Sequence, residues 1–299
     1  YIIMKKINFF FHDPSTFNHF NAIVEHMKLI KYNKYEYNLI SMKERNVFDG
    51  DIGVYGLSTN QIEVKTEKKH DFSILYIENL IGKRLDGIDK LDFNLVLVCN
   101  NECKNEIKSK FNFEPIVIGD TFYNKLINDF SIEESKDLYI EYYTIFLSPD
   151  DKNMDIELLN FQNSYDLINL IERSTKEFKI LIRFHPRTSV NMIESTKDYF
   201  INNDRIIFND KLTNKEVINN SIMTFGLGTT TYYESIINNV PCCFININNK
   251  FTNIYSFYVN DDIIILNESN LKEFIKNPFI KTDFKEFHLH AINNFLDQI

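Results

Sequence analysis

The sequence predicts an α/β chain of two doubly wound domains in tandem. Three observations carry that expectation. Short apolar runs bounded by turn residues alternate with helix-length amphipathic segments along most of the 299 residues, which is the signature of βαβ units and a parallel sheet. The alternation restarts after a charged, weakly periodic stretch at 132–142, and each series has the length of a domain. Residues 215–247 then read as helix, strand, glycine turn, helix and strand, which forms the centre of the second series.

The first series opens with Lys6–Phe11, a buried strand, and His12-Asp13-Pro14-Ser15, a turn and helix start. Phe17, Phe20, Ile23, Val24, Met27 and Leu29-Ile30 recur near helical spacing and give a first helix to about Lys31. Strands follow at Tyr35–Ile40, 52–57, 62–65, Phe72–Ile77 and Phe93–Val98, then helix Glu102–Phe111, strand Pro115–Ile118 and helix Thr121–Asn128.

The second series places strands at Thr144–Ser148, Phe178–Phe184, Arg205–Phe208, Ile222–Phe225, Pro241–Ile247 and Asp262–Leu266. Helices lie at Asp155–Thr175, Met192–Phe200, Thr230–Asn238 and Ser269–Lys276, the last capped by Ser269 or Asn270. A final single helix, Phe284–Leu296, presents Phe284, Phe287, His288, Ala291, Ile292, Phe295 and Leu296 as one buried stripe. The domains are therefore 1–140 and 141–283, with 284–299 expected to pack back on the first.

Composition narrows the function. A net charge of −9 argues against a general nucleic-acid binder and gives no overall attraction to anionic membranes, although it leaves room for a local basic patch. Four cysteines make no disulfide framework, so a reducing cytoplasm is expected, with at most peripheral membrane association. Cys99 and Cys103 lack a second pair to form a metal site. Asp150-Asp151 and Asp261-Asp262 read as solvated turns, so no metal and no cofactor are expected.

Doubly wound sheets bind ligands beyond the carboxyl ends of their strands. Those ends carry His12 and Asp13, Glu78 and Asn79, Gly119 and Asp120, Asp150 and Asp151, His185 and Arg187, and Gly226 to Thr231. Gly226 and Gly228 allow close backbone approach, Thr229, Thr230 and Thr231 add hydroxyl donors, and a helix start favours an anion. Glu234, about one turn on, is within reach of a ribose. Taken alone, this stretch also fits a Thr-capped turn that binds nothing. Pro186 locks the exit from its strand and biases His185 to an extended backbone. With Arg183 and Arg187 on either side, His185 can donate to a phosphate and lend a proton to a leaving group. Arg183 and His185 share a face if their strand stays regular. His19 and His26 continue a spacing of seven from His12 and read as surface or packing residues.

ILIRFHPR at 180–187, followed by NNSIMTFGLGTTTYYESIINNVPCCFI at 219–245, resembles the C-terminal half of the GT-B nucleotide-dependent transferases. Within them it is most similar to the CDP-glycerol glycerophosphotransferases and the bacterial sialyltransferases with an HP motif. VIGDTFYNKL at 117–126 is similar to a glycine-bearing stretch of the glycerophosphotransferases, while ILYIENLIGKRL at 74–85 matches neither family's motif. The resemblance implies two Rossmann-like domains facing across a cleft, the first on the acceptor side and the second holding a nucleotide donor. It implies His185, Arg183, Pro186, Arg187, Gly226, Gly228, Thr229, Thr230, Thr231, Glu234 and Gly119 at the donor, with His12 or Glu78 as the base. The function expected is transfer of a glycosyl or polyol-phosphate unit from a nucleotide sugar or CDP-polyol to a glycan or lipid-linked acceptor. The alternatives are a sugar-nucleotide epimerase or hydrolase of the UDP-N-acetylglucosamine 2-epimerase type and a non-catalytic binding module. Such epimerases share the His-Pro and Gly-rich helix start but carry more carboxylates than the sequence points to.

Overall fold

A computed structural model describes residues 5–42, 49–57, 70–78, 92–130, 141–147, 164–175, 177–186, 188–226, 231–245, 264–265, 267–280 and 283–299. The chain divides into two compact units, Tyr1–Asp129 with Glu286–Ile299, and Phe130–Lys285. The strand expected at 62–65 lies outside the described residues, as do residues 132–140 of the crossing expected at 132–142, whose last residue, Tyr142, instead opens a strand.

The first unit is built on β1 (Lys5–Phe11), β2 (Tyr35–Ser41), β3 (Gly50–Gly56), β4 (His70–Ile77), β5 (Leu95–Val98) and β6 (Ile116–Val117). All pairings are parallel, in the order β2-β1-β3-β4-β5-β6. Its helices are α1 (Pro14–Leu29), α2 (Asn101–Lys110) and α3 (Thr121–Phe130). Asp13 starts α1 by accepting from the Thr16 amide at 2.9 Å, and Pro14 fills the first turn, where no donor is needed. The apolar stripe of α1, Phe20, Ile23 and Met27, packs on Ile7, Phe9, Val54, Ile74 and Tyr76. The helix settles closely on β3 because Gly56 is bare; a Cβ there would overlap the Thr16 methyl.

The second unit is built on β7 (Tyr142–Phe146), β8 (Lys179–Arg183), β9 (Ile206–Phe208), β10 (Ser221–Gly226), β11 (Cys242–Ile245) and β12 (Ile264–Ile265), in the order β12-β11-β10-β7-β8-β9, all parallel. Counted from its own first strand this is 3-2-1-4-5-6, the Rossmann order. Helices α4 (Ser164–Ser174), α5 (Val190–Tyr199), α6 (Asn214–Asn219), α7 (Thr231–Ile237) and α8 (Glu268–Lys276) accompany it. Ile145, Ile180, Ile182 and Phe225 face Leu167, Ile171, Leu271 and Phe274, while Tyr142 and Leu181 face Val217, Ile218 and Val240. With both faces covered, the strands read as continuous apolar runs.

The chain returns to the first unit through α9 (Asp283–His288) and α10 (Ala291–Leu296). The single final helix expected from the stripe is thus two. His288, Ala291, Ile292 and Phe295 are buried, but Phe287 is 44% exposed. The break falls where tertiary bonds take the backbone and ring: Asn124 Nδ2 donates to the Leu289 carbonyl, and the Asp120 amide donates to His288 Nδ1. α8 is capped by Asn267, not Ser269 or Asn270, because Glu268 already belongs to its first turn. All four cysteines are buried thiols outside any disulfide, and no described helix is long and apolar enough to cross a membrane.

Candidate functional site

In the second unit the strand order reverses between β7 and β10, whose last residues Phe146 and Gly226 are paired. Ligands of doubly wound sheets bind at such a reversal. β8 ends beside it, where Arg183 pairs with Phe146. Its guanidinium donates to the Asn209 carbonyl at 2.7 Å and to Asn214 Oδ1 at 3.3 Å. Asn214 opens α6 behind the Thr213 cap, where Thr213 and Glu216 form a reciprocal capping box. The same Asn214 hydrogen-bonds the Glu234 carboxyl in the first turn of α7. With its Oδ1 taken by Arg183, the amide nitrogen of Asn214 is the donor. Burial pushes Glu234 up to about 7 against the pull of that bond. Arg183, Asn214 and Glu234 therefore form one chain on the carboxyl edge.

β8 stops at Arg183, so strand alternation does not set the direction of His185. His185 is half-buried, and its carbonyl accepts from the Thr188 amide at 2.9 Å, turning the chain around the exposed Pro186. Thr231 is buried at the head of α7, with its carbonyl bonded by Ser235 Oγ, which in turn receives a bond from Thr224 Oγ1 at 2.8 Å. Arg187, Gly228, Thr229 and Thr230 lie outside the described residues.

In the first unit the order reverses between β1 and β3. His12 follows β1 there, half-buried. Glu78, just past β4, is buried, and Oε2 lies 3.8 Å from His19 Nε2. His19 Nδ1 lies 3.4 Å from Asp120 Oδ1 and 3.1 Å from the Tyr76 hydroxyl, which contacts Thr121 Oγ1 at 3.0 Å. One imidazole on α1 thus stands between carboxylates from two strand ends. Burial raises the Asp120 carboxyl, and the charge of His19 and the Tyr123 amide only partly oppose it. Burial also drives the Tyr76 hydroxyl and the Cys99 thiol well above their ordinary ranges. His288 is lowered to about 3 by burial and by the charge of His19. Gly119, with φ 88, packs its bare Cα against Ala291 of α10.

The sequence reading of His19 as a surface or packing residue missed this centre. The signal was present: His19 lies three residues after Thr16 and four before Ile23, on the buried stripe of α1. Among the described residues, no group of three or more His, Cys, Asp or Glu is arranged to hold a metal ion.

No family model and no curated protein matches this sequence. Solved structures do match in fold. The UDP-GlcNAc 2-epimerase of Methanocaldococcus jannaschii, in complex with UDP-GlcNAc and UDP, aligns with a TM-score of 0.64 at 13% identity, covering 98% of this chain and 100% of that one. A putative UDP-N-acetylglucosamine 2-epimerase from Listeria monocytogenes aligns at 0.61 and 10% identity, covering 98% and 95%. The wall teichoic acid polymerase TagF soaked with CDPG aligns at 0.51 and 14%, covering 98% and 83%. The likeness runs through both units, and the chain has the GT-B fold of two Rossmann-like domains.

Proposed function

We propose that this protein is an enzyme acting on a nucleotide-activated sugar, and that its first activity is that of a sugar-nucleotide epimerase or hydrolase of the UDP-N-acetylglucosamine 2-epimerase type. The nucleotide lies at the carboxyl edge of the second sheet. Gly226 admits the diphosphate and Thr231 stands at the helix start, with Gly228, Thr229 and Thr230 as the further donor-side candidates of the sequence. Arg183, His185 and Pro186 border it, Arg187 is the further candidate from the sequence, and Glu234 takes the ribose hydroxyls. His185 and the guanidinium of Arg183 stabilise charge on a departing diphosphate.

The observation that carries this reading over simple transfer is the Glu78–His19–Asp120 group. Changing the configuration of a carbon that bears hydrogen needs one group to remove a proton and another to return it on the opposite face. Buried carboxylates beside an imidazole are suited to that work, and they supply acidic groups that sequence alone did not assemble. His12 is the further acid–base candidate of the first unit. The similarity to epimerases at TM-scores near 0.6 supports the same reading.

The second reading is transfer of a glycosyl or polyol-phosphate unit from such a donor to a glycan or lipid-linked acceptor. The His185-Pro186 strand exit and the likeness to TagF favour it. The kinship with sialyltransferases draws no support from the structures compared.

Product analysis separates the two. The protein is incubated with UDP-N-acetylglucosamine and no acceptor, and the sugar is followed by NMR. The 2-epimer, or free UDP with released sugar, supports the first reading. Turnover that appears only with an added acceptor supports the second. Failure to bind UDP, CDP or CMP by calorimetry sinks both.

A further inference from the structure

The C-terminal end of α1 carries an apolar tip flanked in the chain by lysines. Leu29 is 80% exposed and Ile30 46%. The exposed Lys28 and Lys31 flank them in the chain, the exposed Lys34 holds its ammonium 5.5 Å from the centre of the Tyr32 ring, and Lys5 opens β1 beside Tyr35 on the same edge. This concentration runs against a chain charge of −9. The acidic groups on this edge are Glu25, which pairs with Lys125, the exposed Glu36 and Asp297, and Asp49, Asp51 and Asp71 at the starts of β3 and β4, of which Asp51 is taken by the Lys6 amide at 2.6 Å.

Helix termination does not account for the tip. The Tyr32 amide closes the helix on the Met27 carbonyl at 2.9 Å, across Lys31 in the left-handed region at φ 52. Such a closure favours glycine at the left-handed residue and one apolar contact beyond it. Tyr32 supplies the contact by packing against the core that holds Met27. Leu29 and Ile30 are not needed for it, and a lysine occupies the position where glycine would relieve strain.

We propose that this end of α1 docks on an anionic lipid bilayer, with Leu29 and Ile30 entering the headgroup boundary and Lys28, Lys31, Lys34 and Lys5 meeting lipid phosphates. Apolar insertion and lysine attraction are each weak, and peripheral binding uses the two together. A protein partner fits less well, because two protruding side chains supply far less than the roughly 800 Å² per partner of a stable interface. The tip lies on the amino edge of the first sheet, opposite the strand ends described above. The proposal does not depend on the catalytic reading.

The test is co-sedimentation of the full chain with vesicles of phosphatidylcholine alone or with about 30% phosphatidylglycerol, at low salt and at about 0.5 M salt. Binding to the anionic vesicles that falls with salt is expected. Leu29→Ser with Ile30→Ser, and separately Lys28→Glu with Lys31→Glu and Lys34→Glu, should each weaken it by at least about tenfold. Tyr199→Ser with Ile201→Ser, at exposed apolar positions of the second unit, should leave it unchanged. Each variant is checked by its melting curve; the positions are exposed, so folding is expected to persist. Absence of binding by the wild type, equal binding to neutral vesicles, or equal binding by both tip variants overturns the proposal. So does light scattering that finds a wild-type dimer dispersed by the Leu29 and Ile30 changes, which would make the tip a self-association contact.

Discussion

His19 Nδ1 stands 3.4 Å from Asp120 Oδ1 while Nε2 of the same ring stands 3.8 Å from Glu78 Oε2. One side chain from the first helix thus faces carboxyl groups that enter from two other elements. Breaking such a buried group leaves charge without compensation. His19→Leu is therefore expected to destabilise the first unit by about 3 kcal/mol in urea denaturation. The loss should shrink as pH falls, since protonation of Asp120, already favoured by burial, removes the stranded charge. A loss of stability independent of pH would mean that the imidazole acts by packing alone.

His288 sets a second pH dependence. Its folded value of about 3 lies far below its ordinary 6.5, because burial opposes the charged ring. The unfolded chain therefore binds the extra proton first as pH falls. The stabilisation is complete above 6.5 and is lost as pH drops from 6.5 toward 3. Between pH 6.5 and about pH 4 the wild type should lose about 3 kcal/mol from this group. His288→Phe, with no proton to bind, should flatten that slope, although it removes the acceptor of the Asp120 amide. An unchanged slope in denaturation titrations would reject the assignment.

Glu234 works in the opposite sense. Its folded value of about 7 exceeds the ordinary 4.5, so the folded state holds its proton longer than the unfolded chain. Its contribution is fully present below 4.5 and is lost as pH rises toward 7. Glu234→Gln keeps the size and the bond to Asn214 but removes the charge. It should raise stability by about 3 kcal/mol at about pH 8. If the carboxylate takes a ribose, calorimetry should show UDP affinity falling at least about tenfold in the same variant. A gain in stability without loss of affinity would remove Glu234 from the nucleotide site.

Gly119→Ala tests the seat of the returning C-terminal segment. The φ of 88 disfavours a Cβ, and that atom would lie 3.0 Å from the Ala291 Cβ. A melting curve should report a loss of about 1–3 kcal/mol. A loss below about 0.5 kcal/mol would show that α10 shifts freely on the sheet.

Lys31→Gly pits stability against surface chemistry. Glycine fits the left-handed backbone at φ 52, so the variant should gain about 0.5–1 kcal/mol in urea denaturation. It should at the same time bind anionic vesicles more weakly by losing one lysine. No gain in stability would show that the lysine relieves its strain elsewhere.

Much of the fold was legible in the residues because buried parallel strands are apolar runs. Ile7 to Phe9, Ile74 to Ile77 and Cys242 to Ile245 could hardly be anything else. Strand ends were legible where a residue changes the backbone's options, as Pro186 does. β8 nevertheless closes at Arg183, one residue before the strand was expected to end, so the condition under which Arg183 and His185 share a face is not met. The last helix was misread because its apolar stripe continues across the break. Periodicity registers which faces are buried and does not register that Asp120 and Asn124 claim the ring of His288 and the carbonyl of Leu289.

By itself the sequence determined the alternation of strands and helices and the two series. Each is a local pattern of apolar spacing and backbone freedom. Tertiary structure alone decided the strand orders, the break between α9 and α10 in the returning segment, and two polar groups: His19 with Glu78 and Asp120, and Arg183 with Asn214 and Glu234. Hydrogen bonds and burial in those groups join residues as many as 101 positions apart, His19 and Asp120. No window of sequence contains them, because sheet pairing, and not spacing along the chain, sets which strand ends meet.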